Sequence, residues 1–170
     1  MENINGGSIV RKFVVLIVGV ALGLGGCATK YTGPRSEEPS ASISFEASGD
    51  ASLGYMAYLF YMDDPNKRSC MGIKPELAKI NKGNPFGGKT SNLRNIPIPA
   101  GRKIAIRSVL VPANVINQRG CTVDNIFTAT PGIDYLIKIS WSRSQCVTDL
   151  LDITNGKEEL VQIEQDKRSC

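Results

Sequence analysis

The sequence predicts an antiparallel β-sandwich of about seven to eight strands stapled by disulfides, with a small β-barrel as the second choice. Three observations lead there. From Ala41 onward apolar residues recur at every second position, the period of a strand with one buried face. Turn signals return at regular intervals, as at Pro131-Gly132 and Asn155-Gly156, where residues tolerant of tight backbone geometry cluster. Cysteines at 70, 121, 146 and 170 supply an even set for cross-linking.

Taken in chain order, Ala41, Ile43, Phe45 and Ala47 alternate with Ser42, Ser44 and Glu46, as in a strand buried on one side. The run Tyr55 to Met62 (YMAYLFYM) is apolar on both faces and reads as a central strand covered on two sides. A membrane-dipping surface is the rival reading, and the need of a small sandwich for such a strand favours core. Residues 66–92 are the least regular. Pro75 to Ile80 has the form of a single helical turn with Pro at its first position, and Asn81 to Gly88 reads as loop. Ile96-Pro97-Ile98-Pro99 predicts an edge strand, because proline cannot donate to a ladder. Lys103 to Val111, Thr122 to Thr130, Tyr135 to Trp141, Cys146 to Thr154 and Glu158 to Ile163 follow as strands. Asn155-Gly156 predicts a type I′ hairpin between the last two.

Composition excludes whole classes of chemistry. The chain has 170 residues, a net charge of +4 and no histidine. It therefore lacks the commonest general base and the commonest transition-metal ligand. Serine nucleophiles have no histidine to activate them, and no Ser–Lys pair stands out. The reading is of a non-enzyme without cofactor or metal. Gly83-Asn84-Pro85-Phe86-Gly87-Gly88-Lys89-Thr90 matches the phosphate-loop pattern letter for letter, yet that pattern needs a buried strand before it and a long helix after it. The prolines at 97 and 99 deny the helix, so the segment is a glycine-rich loop. Asp63-Asp64 before Pro65-Asn66 could hold calcium, but no spaced acidic ligands follow, and a turn is the better account.

Charge is unevenly distributed. Lys67, Arg68, Lys74, Lys79, Lys82, Lys89, Arg94, Arg102, Lys103 and Arg107 lie within 41 residues that contain one acid, Glu76. Such a run is read first as solvated surface offset by neighbouring acidic strands. Otherwise it forms a face for anionic lipid headgroups, lipopolysaccharide phosphates or an acidic protein. Nucleic acid is not an expected partner.

The N-terminus supplies an address. Arg11 and Lys12 precede an apolar run of 12 residues, Phe13 to Leu24, which ends in Gly25-Gly26-Cys27. A helix of that length spans roughly 18 Å, short of the ~30 Å hydrocarbon core, so it suits a cleaved export signal. Leu24-Gly25-Gly26-Cys27 resembles the lipobox of bacterial lipoproteins. The resemblance implies cleavage before Cys27, diacylation of its sulfur and a third acyl chain on its new amino group. More than one chain is what stable anchoring requires. Ala28 after the cysteine implies sorting to the outer membrane, with the domain on the periplasmic face.

The organisation predicted is thus a signal at 1–26, a lipidated Cys27 with a flexible tether to residue 40, and one domain over 41–170. Thirteen tether residues have a root-mean-square span of roughly 20 Å and a maximum near 45 Å. An oxidising compartment favours two disulfides over a zinc site, since neither CxxC nor histidine is present. Cys121–Cys146 with Cys70–Cys170 is the expected pairing among three. Strand order constrains it: the first pair works only across two packed sheets or from loops beyond strand ends, because flanking strands of one sheet stand about 9.5 Å apart.

Beyond the lipobox, the layout resembles small uncharacterised envelope lipoproteins of Gram-negative bacteria. The matching features are the Tyr31-Thr-Gly-Pro run after Cys27, Ile98-Pro99-Ala100-Gly101-Arg102, and Cys121 ahead of Phe127 to Tyr135 and Cys146. That resemblance implies no catalytic activity. The expected role is a non-catalytic binding or accessory component that meets an envelope protein or polymer, with anionic-lipid recognition by residues 67–107 or inhibition of an envelope hydrolase as alternatives.

Overall fold

Alternating apolar side chains at residues 41–47, 55–61 and 135–141 need two facing surfaces to bury them, and two five-stranded sheets provide these. The computed structural model describes residues 31–49, 54–64, 75–83, 89–91, 93–113, 120–142 and 145–168. The strands are β1 (Ser40–Gly49), β2 (Tyr55–Met62), β3 (Glu76–Lys82), β4 (Ile96–Pro99), β5 (Lys103–Pro112), β6 (Cys121–Thr128), β7 (Asp134–Ser142), β8 (Gln145–Asp152), β9 (Glu159–Leu160) and β10 (Glu164–Arg168). One sheet has the order β4-β1-β7-β8-β9 and the other β10-β6-β5-β2-β3. The architecture is an all-β sandwich, and no helix occurs among the described residues.

Inward residues from both sheets form one core. Ile43, Phe45, Ile137, Ile139 and Leu150 from the first sheet meet Ala57, Leu59, Ile104, Ile106, Leu110 and Val123 from the second. Each isoleucine, leucine, valine or phenylalanine among them contributes about 1.5–3 kcal/mol through removal from water. β2 lies between β3 and β5, an interior strand as expected for YMAYLFYM, but its second face is not fully covered, since Met56, Tyr58 and Phe60 are only half-buried. Tyr55, Ala57, Leu59 and Tyr61 enter the core, while Met62 packs with Ala105 and Ile126 on the opposite face. The proline-bearing β4 is an edge strand, where a missing N–H leaves no ladder bond unmade.

The sheets are antiparallel except where β1 runs parallel to β7, from Ser42 opposite Asp134 to Gly49 opposite Trp141. Cys121 opens β6 in one sheet and Cys146 lies in β8 of the other, with a Cα–Cα distance of 5.8 Å in a disulfide. The bridge thus spans the two packed sheets. Cys70 and Cys170 lie outside the described residues.

Three local expectations need correction. Residues 75–80 are not a helical turn. Glu76–Lys82 pairs antiparallel with β2, and the register shifts between Leu59 and Phe60. Leu77 is the extra residue of that bulge, so Leu77 and Ala78 are both buried. Pairing with a central strand overrides the helical signal of an N-terminal proline. Glu158 to Ile163 is not one strand. β9 belongs to the first sheet and β10 to the second, because Val161 and Ile163 turn inward against the core as the chain changes sheet. The Asn155-Gly156 turn is not type I′ either. Gly156 has φ 71° but Asn155 is not left-handed, whereas type I′ needs both. Gly156 N–H donates to Ile153 O at 3.0 Å, and Thr154 N–H is held by Asp152 Oδ1 at 2.9 Å. The addition of β3 and the division of the last expected strand into β9 and β10 bring the number of strands among the described residues to ten.

Candidate functional site

Residues 31–39, expected as free tether, lie against the sandwich. Tyr31 donates its hydroxyl to Pro97 O at 2.8 Å, and its ring stands 5.3 Å from that of Tyr61. Gly33 has φ +75°, and a Cβ there would stand 3.5 Å from the Pro97 ring. It thus gives the turn that lays the strap beside β4. Glu38 N–H closes a turn on Arg35 O at 3.0 Å, and Ala100 N–H donates to Pro39 O at 2.8 Å as the chain enters β1. A strap over β4 also covers the open edge of the first sheet, where unpaired strands invite association.

Beneath the strap a polar cluster joins β2 to the turn before β5. Tyr61 donates to Asp63 Oδ1 at 2.9 Å. Arg102 Nη2 reaches Tyr61 Oη at 3.2 Å and Asp63 Oδ1 at 2.8 Å. Burial pushes the Tyr31 phenol well above its usual range, with the charge of Tyr61 adding to it. Burial likewise pushes Tyr61 up to about 12, helped by its hydrogen bond to Asp63 and partly offset by Arg102. Both phenols are therefore neutral at physiological pH, and the cluster ties the strap, β2 and the turn before β5 together.

The sign of the pH dependence follows. The folded state retains the Tyr61 proton that the unfolded chain releases near pH 10. The contribution is complete below pH 10 and lost as pH rises to about 12. Urea midpoints measured between pH 9 and 12 are expected to fall over that window, and Tyr61→Phe is expected to fall less steeply. Equal slopes for the two proteins would contradict the assignment.

The basic residues singled out from sequence have varied surroundings. Lys79 Nζ sits 5.3 Å from the Tyr58 ring centroid and Lys82 Nζ 6.0 Å from that of Tyr55, cation–π distances on β3. Lys89 is exposed. Arg94 is 3.7 Å from Glu46 on β1, Arg102 pairs with Asp63, and Lys103 pairs with Glu164 at 3.0 Å. Arg107 is a correction: it cannot serve an anionic partner, being 4% exposed. Its Nε and Nη2 grip Asp124 Oδ1 and Oδ2 at 2.6 and 2.7 Å. Alternation on β5 and β6 sends both side chains to one face at directly paired positions. Lys67, Arg68 and Lys74, like Cys27, lie outside the described residues. Of the described cations, Lys79, Lys82, Lys103 and Arg107 lie on β3 and β5 of the second sheet, Arg102 precedes β5, and Arg94 reaches β1 of the first.

Other motifs resolve simply. Of the phosphate-loop match, residues 84–88 lie outside the described residues. Thr90 Oγ1 accepts Asn81 N–H at 3.0 Å, and Ser91 exchanges backbone bonds with Lys79 at 2.9 and 3.1 Å. The chain returns along an edge strand, and no helix starts at Ser91. Among the described residues no three His, Cys, Asp or Glu side chains gather to hold a metal, and no helix is long and apolar enough to cross a membrane. The sandwich also carries buried polar groups that sequence reading did not single out: Asn125 Nδ2 lies 3.3 Å from Ile106 O and from Ser108 Oγ.

The fold and the strap define a disulfide-bridged β-sandwich whose N-terminal approach is fixed to its edge. Compared with family models, with curated proteins and with solved structures, the chain matches none.

Proposed function

We propose that this chain is a lipid-anchored, non-catalytic binding or accessory protein of the bacterial envelope, held at Cys27 on the periplasmic face of the outer membrane. The observation that carries the reading is the basic, apolar and small-residue run ending in Leu24-Gly25-Gly26-Cys27. The Cys121–Cys146 bridge supports it, because such bonds persist in exported proteins and are rare in the cytosol. The absence of histidine from the sequence and the neutral, hydrogen-bonded phenols at the strap support a binding rather than a chemical role. Its partner is an envelope protein or polymer met through the loops or a sheet edge. Recognition of anionic lipid by residues 67–107 is the alternative; Lys89 is exposed, whereas Arg94, Arg102 and Lys103 are ion-paired.

Cell fractionation tests the reading. The wild-type protein is expected in the membrane pellet and to resist high salt, as an acyl anchor does. Cys27→Ala is expected to lose the acyl mass and the cleavage before residue 27. A Cys27→Ala protein that is processed and membrane-bound like the wild type would contradict it.

A further inference from the structure

We infer that the docked strap fixes the orientation of the sandwich on the bilayer that holds the acyl chains. The end formed by the strap, the Gly101–Arg102 turn and the Thr130–Gly132 turn faces the lipid headgroups, and the disulfide end faces away. The inference rests on acylation of Cys27 and deepens that reading.

Length decides it. With Tyr31 bonded to Pro97 and packed on Tyr61, the slack between domain and lipid is the four steps from Cys27 to Tyr31. Fully extended they span about 14 Å, against the roughly 45 Å of a wholly free tether. Strand direction then sets which surfaces can reach the membrane. Ala100 N–H binds Pro39 O, Gly101 N–H binds Ala129 O, and Gly132 N–H binds Ser40 O. These bonds gather the strap, both turns and the start of β1 at one end. β1 runs from there to Gly49, opposite Trp141, which itself pairs with Cys146. Nine strand rises of about 3.3 Å separate the ends by ~30 Å. A leash of ~14 Å is shorter than that separation, so the strap end is the end held against the headgroups.

The surface at that end fits a polar headgroup layer. Gly101, Arg102, Thr130, Pro131 and Gly132 are exposed, and the Arg102 charge is already matched by Asp63. The bilayer therefore meets turn tips, Pro131 among them, and a strap in which Arg35, Glu37 and Glu38 are exposed. Lys82 ends β3 opposite Tyr55, at the distal end.

Energy transfer from single tryptophans tests this on the full acylated protein in phosphatidylethanolamine–phosphatidylglycerol vesicles containing dansyl-labelled headgroups. Trp141 is the one native tryptophan and reports the distal end. Pro131→Trp in a Trp141→Phe background reports the strap end, and Thr130→Trp serves if that variant folds poorly. Transfer from the strap-end donor is expected to be at least about twofold stronger, given ~30 Å between the ends. Tyr31→Ala releases the strap and is expected to shrink the difference while leaving the acyl mass unchanged. Equal transfer from both donors in acylated protein, or a difference that survives Tyr31→Ala intact, overturns the inference alone. Absence of an acyl adduct at Cys27 overturns the anchoring reading and the orientation with it.

Discussion

Replacing Asp124 by Asn is expected to destabilise the sandwich by about 3–5 kcal/mol, the cost of stranding one member of a buried ion pair. Asp124 and Arg107 are 3% and 4% exposed and share two hydrogen bonds. With the carboxylate gone, the guanidinium keeps its charge, since arginine does not deprotonate in proteins. It stays buried on β5, where Arg107 is 4% exposed. The double replacement Arg107→Met with Asp124→Leu removes both charges and both desolvation penalties. It is expected to recover most of the loss, as buried pairs exchanged for apolar residues often do. Urea unfolding of the three variants under non-reducing conditions makes the comparison. A cost below about 1 kcal/mol for Asp124→Asn would mean a solvent-screened pair and would contradict the geometry.

Removing the inter-sheet bridge is the second large effect. Cys121 and Cys146 are 25 residues apart, and closing a loop of that length stabilises by about 3.5 kcal/mol on the chain-entropy model. Cys121→Ala with Cys146→Ala is expected to lose stability on that scale. Reduction of the wild-type protein should lower its urea midpoint in the same direction. Digestion under non-reducing conditions should recover the two cysteine peptides joined. A Cys121 peptide linked instead to Cys70 or Cys170, or a double variant as stable as the oxidised wild type, would contradict the bridge.

Much of the fold is legible in the sequence because period-two alternation is a local signal. Residues 41–47 and 135–141 face inward as their pattern dictates, and the prolines of 96–99 sit on an edge. The disulfide is legible at one remove. Strand order forbids Cys121–Cys146 within one flat sheet, and the molecule adopts the geometry that permits it. What escapes local reading depends on partners distant in sequence. β3 forms because β2 offers an open ladder and a bulge absorbs Leu77. The parallel pairing of β1 with β7 joins segments 92 residues apart, and nothing in either run marks the other. Arg107 looks like part of a basic stretch until β6 places Asp124 directly opposite. A charge at mid-strand in both KIAIRSVLVP and CTVDNIFT is the trace of that pair. The strap has a fainter trace: one tyrosine followed by Gly-Pro in a polar run.

Anchoring through Cys27 and an oxidised Cys121–Cys146 pair together define the proposed mature protein. Intact mass of the protein extracted from membranes, before and after reduction, tests it most directly. The expected product begins at Cys27 and carries three acyl chains. Its mass should rise on reduction by the hydrogens that Cys121 and Cys146 take up. An unmodified chain that retains residues 1–26, with all its thiols free, would contradict both the anchor and the bridge.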